Sequence, residues 1–173
     1  MLTAELLGDA FDRIRKVVHA TVQGASLDEL TYAPDPGANT IGWLVWHLTR
    51  VQDGHIADVI GANQVWISGG WVDRFGLPFD RRASGYGQGR AEVAAVRADA
   101  GLLTAYFDAV HTRTLAYLDT LVEADFARIV DTSWDPPVTL AARLVSVIAD
   151  DLQHAGQAAY VRGLATVGRT QRS

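Results

Sequence analysis

The feature that most restricts the fold of this chain is a helical periodicity that returns in four long segments. In each of them hydrophobic residues recur every three or four positions, which places them on one face of an α-helix. No stretch between the segments alternates as a half-buried β-strand does. The sequence therefore predicts an all-α four-helix bundle with long connecting loops, in a single domain over residues 1–173. The segments run from about Thr3 to Gln23, from Thr40 to Ile60, from Ala91 to Leu121 with a break near Gly101, and from Leu140 to Leu164.

The connection between the second and third segments, residues 61–90, differs from the rest of the chain. It is rich in glycine and aromatic residues and has no clear periodicity. A loop of roughly 30 residues inside a compact domain is often functional. This one lacks the lysine and the glycine spacing of a phosphate-binding loop, so nucleotide binding is not expected. Further along, Thr139 stands where it can cap the last helix.

Composition excludes several classes of function. The chain contains no cysteine, which removes disulfides, thiolate metal ligands and a protein thiol nucleophile. Its formal net charge is −5 and it has no basic stripe, which argues against a nucleic-acid partner. No run approaches the ~20 apolar residues that cross a bilayer, and the N-terminus lacks the features of a signal peptide. We therefore expect a cytoplasmic protein with no membrane partner.

Histidines are the side chains best suited to chemistry here. His47 lies in "WLVWHLTR", where the apolar neighbours predict burial, and a buried imidazole needs a hydrogen-bond partner or a metal ion. His154 follows Asp150 by four residues and Asp151 by three, so either acid shares a helix face with it. One interpretation is a hydrogen-bonded core histidine and a local salt bridge. The other is a three-ligand metal site made by His47, His154 and one aspartate.

The second interpretation combines two nitrogen donors with one oxygen donor, a set that suits Zn²⁺ or another borderline divalent ion. Three protein ligands leave a position for water or substrate, as in catalytic rather than structural sites. An ion there would lower the pKa of a water or thiol. The choice of acid stays open, because the apolar stripe of the last segment is centred closer to Asp151 than to Asp150. That stripe consists of Leu140, Leu144, Val147 and Ile148.

Three pieces of the chain carry a family resemblance: "GANTIGWLVWHLTRVQD", "DRFGLP" and "PPVTLAARLVSVIADDLQHAGQAAYVRG". In their order and context they resemble the DinB-like superfamily, over about Leu27 to Gly163. The resemblance is to its actinobacterial branch, which is related to the metal-binding domain of mycothiol-dependent maleylpyruvate isomerase. Isomerisation of maleylpyruvate itself is not the expected activity.

The resemblance implies an up-up-down-down four-helix bundle with a metal site. Its ligands are a histidine of the second helix and two residues four apart on the last helix, which correspond to His47, Asp150 and His154. Asp150 departs from the family pattern, which has histidine or glutamate at that position. Asp151 would then support the site or form a hydrogen bond with a neighbouring helix.

The function that the resemblance implies is metal-dependent thiol S-transfer. The ion would be Zn²⁺ or Ni²⁺. The expected partners are a small-molecule thiol such as mycothiol and a small electrophile, and the expected assembly is a homodimer. One alternative is a metal-assisted hydrolase in which Asp151 or Asp53 is the general base. The other is a non-catalytic dimeric bundle with a vestigial metal site.

The remaining candidates have structural interpretations. His55 is expected on a solvated helix face or at a pocket rim, His111 in a structural or exposed position, and His19 near the C-terminal dipole of its helix. Arg50 and Arg74 could contact an anionic substrate, but surface salt bridges are expected. Trp43, Trp46 and Trp66 are expected to supply core, although one could wall a pocket.

Overall fold

The computed structural model describes residues 2–170, with side chains as far as Thr166. Four long helices dominate it: α1 (Thr3–Val22), α3 (Ile41–Ile60), α7 (Ala100–Leu118) and α8 (Leu140–Thr170). The shorter elements are α2 (Leu27–Leu30), α4 (Val65–Ser68), α5 (Trp71–Phe75), α6 (Arg90–Ala95), a 3₁₀ turn (Glu123–Ala127), β1 (Ile129–Asp131) and β2 (Val138–Thr139). The all-α prediction is confirmed.

The long helices pack side by side around one hydrophobic core. Helices α1 and α3 each contact both α7 and α8, so all four share the interior. The buried stripe of α8 follows a spacing of three and four residues, which is the amphipathic pattern seen in the sequence. Among the described residues no helix has the length and hydrophobicity needed to cross a bilayer. The core includes Phe11 and Ile14 of α1, Leu44 and Leu48 of α3, Tyr106 and Phe107 of α7, and Leu140, Leu144 and Val147 of α8.

Side-chain caps set where the long helices begin. The Thr40 hydroxyl accepts a hydrogen bond from the Trp43 amide at 3.1 Å at the start of α3. The Thr139 hydroxyl accepts one from the Ala142 amide at 3.2 Å, as predicted for the start of α8. The third predicted segment is two helices, because Asp99 starts α7 by accepting a hydrogen bond from the Leu102 amide. Such caps satisfy amides that have no partner within the helix.

Residues 61–90 are more ordered than their sequence suggests. They contain α4 and α5, and the aromatic side chains of Trp66, Trp71 and Phe75 are buried. All three rings pack within 6 Å of the Tyr106 ring on α7. The segment therefore closes one side of the bundle instead of extending into solvent. The antiparallel pair β1–β2, which was not expected from the sequence, forms just before α8.

Candidate metal centre

One face of α3 is directed toward both α8 and residues 61–90, which we call the glycine-rich segment. Trp43, His47 and Arg50 lie on it because they are separated by four and three residues. His47 is 8% exposed, and Trp43 and Arg50 are also buried. The indole of Trp43 stacks on the His47 imidazole, with ring centroids 4.6 Å apart and an interplanar angle of 14°. This face therefore holds an imidazole in a defined position at the α3–α8 boundary.

Helix α8 brings Asp150 and His154 to the same place. They are one turn apart on the helix. One ligand atom of Asp150, one of His154 and one of His47 all lie within 4.8 Å of one another. The two imidazole rings meet edge to face, with centroids 4.8 Å apart. The structure thus gathers the three residues expected from the sequence and the resemblance.

Hydrogen bonds assign the free nitrogen of each imidazole. Nδ1 of His47 lies 2.5 Å from the Ser84 carbonyl oxygen, and because a carbonyl can only accept, Nδ1 carries the proton. Nδ1 of His154 lies 2.9 Å from Oε1 of Gln157 and donates to it in the same way. Both Nε2 atoms therefore keep a lone pair. This is the arrangement in which metal-binding histidines are oriented by a partner on the other nitrogen.

The carboxylate of Asp150 completes the donor set. Its Oδ1 lies 3.6 Å from Nε2 of His154, which is too long for a hydrogen bond. Its Oδ2 is buried and has no hydrogen-bond partner among the described residues. A tetrahedral ion with bonds of about 2.1 Å has ligand atoms roughly 3.4 Å apart. The ligand atoms of the three residues lie within 4.8 Å of one another, and two imidazole nitrogens with a carboxylate oxygen are a donor set that suits a divalent metal ion.

Burial lowers the pKa of His47, and the neighbouring Ser84 carbonyl opposes that shift. His47 is therefore neutral at physiological pH. Neutral imidazole is the form that binds metal ions, so protons compete weakly at this ligand.

Asp151 occupies a different environment from Asp150. It is fully buried, and neither of its oxygens has a hydrogen-bond partner among the described residues. Burial, with a further contribution from the Asp150 charge, raises the pKa of Asp151 well above its usual range. The apolar stripe correctly indicated that Asp151 points inward. The expectation that it would hydrogen-bond to a neighbouring helix was wrong, because hydrophobic side chains take that side of α8.

A cavity of about 540 Å³ opens beside His47 and Asp150. His55, expected to be solvated or at a pocket rim, is half-buried in its wall, and its Nδ1 lies 3.4 Å from Nη1 of Arg143. Burial, then the Arg143 charge, lowers the pKa of His55. Asp53 and Asp151 are not among the described residues that line this cavity. Its polar lining comprises His47, Arg50, His55, Asp58, Gln64, Arg82, Ser84, Tyr86 and Asp150.

Arg50 is not the surface residue that its sequence context suggested. It is 2% exposed, and its guanidinium lies 3.7 Å from the Asp53 carboxylate. Asp53 in turn accepts hydrogen bonds from the amides of Val65 and Trp66. The pair therefore ties α3 to the glycine-rich segment, and although Arg50 borders the cavity, its guanidinium is already engaged by the Ala83 carbonyl, Gln64 and Asp53.

The other histidines form interhelix pairs away from the site. His19 lies 2.8 Å from Asp108, and the buried His111 lies 2.9 Å from Asp12, so both connect α1 to α7. Arg74 lies over the Trp71 ring, 4.4 Å from its centroid.

The orienting groups were the part of the site that sequence reasoning missed. Gln157 could have been found, because it stands three residues after His154 and so on the same face of α8. The spacing of Trp43, His47 and Arg50 was an equally readable signal. The role of Ser84 could not be predicted from such a spacing, because Ser84 acts through its backbone carbonyl and not through its side chain.

A family model described as the DinB superfamily matches residues 10–158. The chain belongs to the DinB superfamily. A solved crystal structure, described as that of a conserved protein from Enterococcus faecalis, is 31% identical in sequence. The two superpose with a TM-score of 0.89, over 96% of this chain and 98% of the other. No curated protein matches the chain.

The DinB match includes every residue of the candidate centre. His47, Asp150 and His154 all lie inside the matched range, as do Ser84 and Gln157. Family and fold therefore agree with the resemblance read from the sequence. The assignment to the actinobacterial branch stays a prediction.

Proposed function

We propose that this DinB superfamily protein is a metal-dependent enzyme that transfers a low-molecular-weight thiol to a small electrophile. The observation that supports it most is that His47, Asp150 and His154 bring ligand atoms within 4.8 Å of one another beside a cavity, and that both imidazoles keep a free Nε2 lone pair. His47, Asp150 and His154 would be the ligands. Three protein ligands leave room for a reacting group, as catalytic sites require.

A bound Zn²⁺ or Ni²⁺ would supply a positive charge that lowers the pKa of a thiol into the neutral range. The residues of the chain do the positioning. Ser84 and Gln157 hold the protons on the two Nδ1 atoms, which leaves the lone pair of each Nε2 available to an ion. Trp43 covers one face of the His47 ring and keeps water from it.

The cavity sets the size and polarity of the proposed substrates. Its volume lies in the usual range for small-molecule sites, about 300–1,000 Å³. Arg82, His55 and Gln64 in its wall can donate hydrogen bonds to a polar substrate. A mycothiol-like thiol and a small electrophile, the partners expected from the resemblance, are the proposed reactants.

A metal-assisted hydrolase is the second candidate, and His55 is the residue that favours it. It lines the cavity, and because the Arg143 guanidinium can only donate to its Nδ1, its Nε2 carries the proton and could donate a hydrogen bond to the carbonyl oxygen of an ester or amide substrate. The general bases first considered, Asp53 and Asp151, are engaged in the α3 network or buried in the core.

A thiol-transfer assay with matched variants tests the proposal. Zinc-loaded wild type is mixed with 1-chloro-2,4-dinitrobenzene and mycothiol, bacillithiol or cysteine, and conjugate formation is followed by absorbance. We expect enzyme-dependent conjugation that falls to background in His47→Ala. His19→Ala, a histidine substitution away from the site, should retain the wild-type rate.

Two results would redirect the assignment. Turnover of ester or amide substrates without any thiol would support the hydrolase. A zinc-loaded protein that accelerates neither reaction would contradict both enzymatic functions and leave a vestigial site.

A further inference from the structure

The segment from Arg82 to Gln88 passes directly over the His47 ring, and we propose that Gly85 is a positioning residue for this metal ligand. The lack of a side chain at Gly85 lets the backbone approach closely enough for the Ser84 carbonyl to hold the proton on Nδ1. The inference rests on the proposed metal site. It adds to that site a residue that touches neither metal nor substrate.

The contact at Gly85 leaves no room for a larger residue. A Cβ built there would lie 2.5 Å from Nδ1 of His47 and 3.0 Å from Cζ2 of Trp43, both in the rigid stacked pair. Gly85 also has a φ of 101°, a backbone conformation that residues with a side chain rarely adopt. Any substitution must therefore push the segment away from the imidazole or displace the imidazole itself.

Two anchors on α3 hold the segment down on either side of His47. On one side, Nε of Arg50 donates to the Ala83 carbonyl at 3.1 Å, and Nη2 lies 3.5 Å from the Arg82 carbonyl. On the other, the Trp43 indole N–H donates to Oε1 of Gln88 at 2.8 Å. Trp43 and Arg50 lie about one helical turn before and after His47, so hydrogen bonds hold the segment across the imidazole ring on both sides.

Burial makes the Arg50 anchor firm. Its guanidinium also donates to Oε1 of Gln64 at 2.7 Å and lies over the Trp66 ring, 4.8 Å from its centroid. Its charge is balanced by Asp53. A guanidinium with these partners cannot move without leaving a buried charge unpaired.

Holding Nδ1–H has a consequence at the opposite nitrogen. A hydrogen bond at Nδ1 selects the tautomer whose lone pair is on Nε2 and fixes the plane of the ring. Loss of such a partner typically weakens metal binding 10–100-fold. Gly85 thus acts on metal affinity through Ser84 and His47.

Gly87 provides a matched control two residues away. It too has a positive φ, 72°, but a Cβ built there would meet nothing within 4 Å. Both Gly85→Ala and Gly87→Ala place an alanine at a positive φ, and only the first puts a Cβ against His47. Each is compared with wild type by Co²⁺ titration, by the visible spectrum of the Co²⁺ complex, and by urea unfolding.

We expect Gly85→Ala to raise the Kd for Co²⁺ at least tenfold and to alter its visible spectrum. Gly87→Ala should change the Kd less than twofold with an unchanged spectrum, although both variants lose stability. Equal Kd values for the two variants would overturn the positioning role.

A metal-free measurement separates this inference from the proposed function. Long-range ¹H–¹⁵N NMR of wild type should show His47 protonated on Nδ1, and Gly85→Ala should show a mixture of tautomers while Gly87→Ala keeps the wild-type pattern. If wild type binds no Co²⁺ but this pattern holds, the metal proposal fails and the positioning contact stands. A mixture of tautomers in wild type would overturn the inference.

Discussion

At the scale of single residues, Asp151 is the side chain whose chemistry conflicts most with its surroundings. It is fully buried on the stripe of α8 that also carries Leu144 and Val147, and its oxygens have no hydrogen-bond partner in the described part of the chain. An ionised carboxylate in such a place is strongly disfavoured, so the folded protein keeps this acid protonated.

Asp151→Asn should make the metal-free protein more stable at neutral pH. Burial, then the Asp150 charge, raises the pKa of Asp151 in the folded state above its value in the unfolded chain. Between those two values the folded chain binds more protons, so wild-type stability falls as the pH rises above about 4. Asparagine cannot ionise and removes this slope. The difference should grow by about 1.4 kcal/mol per pH unit over that interval.

Urea unfolding from pH 4 to pH 8 in the presence of a chelator measures this effect. Asp119→Asn, the same change at an exposed position, is the control and should alter stability little at any pH. Parallel pH profiles for wild type and Asp151→Asn would show that Asp151 is ionised in the folded state.

Asp150 and Asp151 also show which features of the site the sequence pattern could predict and which it could not. The apolar stripe correctly placed Asp151 in the interior, and the four-residue spacing placed Asp150 beside His154. The pattern alone could not choose a ligand, because adjacent residues differ by only ~100° around the helix. That choice required knowing where His47 lies on the facing helix.

At the scale of secondary-structure elements, α3 organises the site. It supplies His47, and through Asp53 and Arg50 it anchors the glycine-rich segment that covers the ligand. The Asp53 carboxylate accepts hydrogen bonds from the Val65 and Trp66 amides, at the first turn of α4, and from the Tyr106 hydroxyl. One buried acid thus joins α3, α4 and α7.

Asp53→Asn should destabilise the protein by about 3–5 kcal/mol, the usual result of leaving one member of a buried ion pair alone. The change removes the counter-charge of Arg50 and replaces one acceptor oxygen with a donor. Chemical denaturation measures the loss. Asp73→Asn is the control, because Asp73 pairs with Arg81 on the surface, where such pairs contribute about 0–1 kcal/mol. Similar losses for both variants would contradict the anchoring role.

Elements of different length were predictable to different degrees. The long helices have enough turns for a periodicity to be recognised, and Thr40 and Thr139 marked two of their starts. Helices α4 and α5 have four and five residues, and β1 and β2 have three and two. Such short elements carry no recognisable period, and their position depends on tertiary partners such as Asp53 and Tyr106.

At the scale of the whole molecule, the candidate centre joins two helices that are distant in the sequence. His47 comes from α3, and Asp150 and His154 come from α8 about 100 residues later. An ion that binds all three would bind the folded chain and not the unfolded one. Metal binding should therefore be coupled to global stability.

Zinc should raise the melting temperature of the wild type. At a free concentration a hundredfold above Kd the gain is about 2.7 kcal/mol, or roughly 5–10 °C for a chain of this length. Differential scanning fluorimetry with zinc, and then with added EDTA, measures the shift and its reversal. His47→Ala should show no shift, and an equal shift in that variant would place the bound zinc elsewhere.

The most direct test of the metal centre is the metal content of the purified protein, measured by inductively coupled plasma mass spectrometry after purification without a nickel column. We expect close to one equivalent of zinc or nickel in wild type, its loss in His154→Ala, and its retention in His19→Ala. A wild-type protein that contains no metal and takes up none when zinc is added would contradict the proposal that His47, Asp150 and His154 form a metal centre.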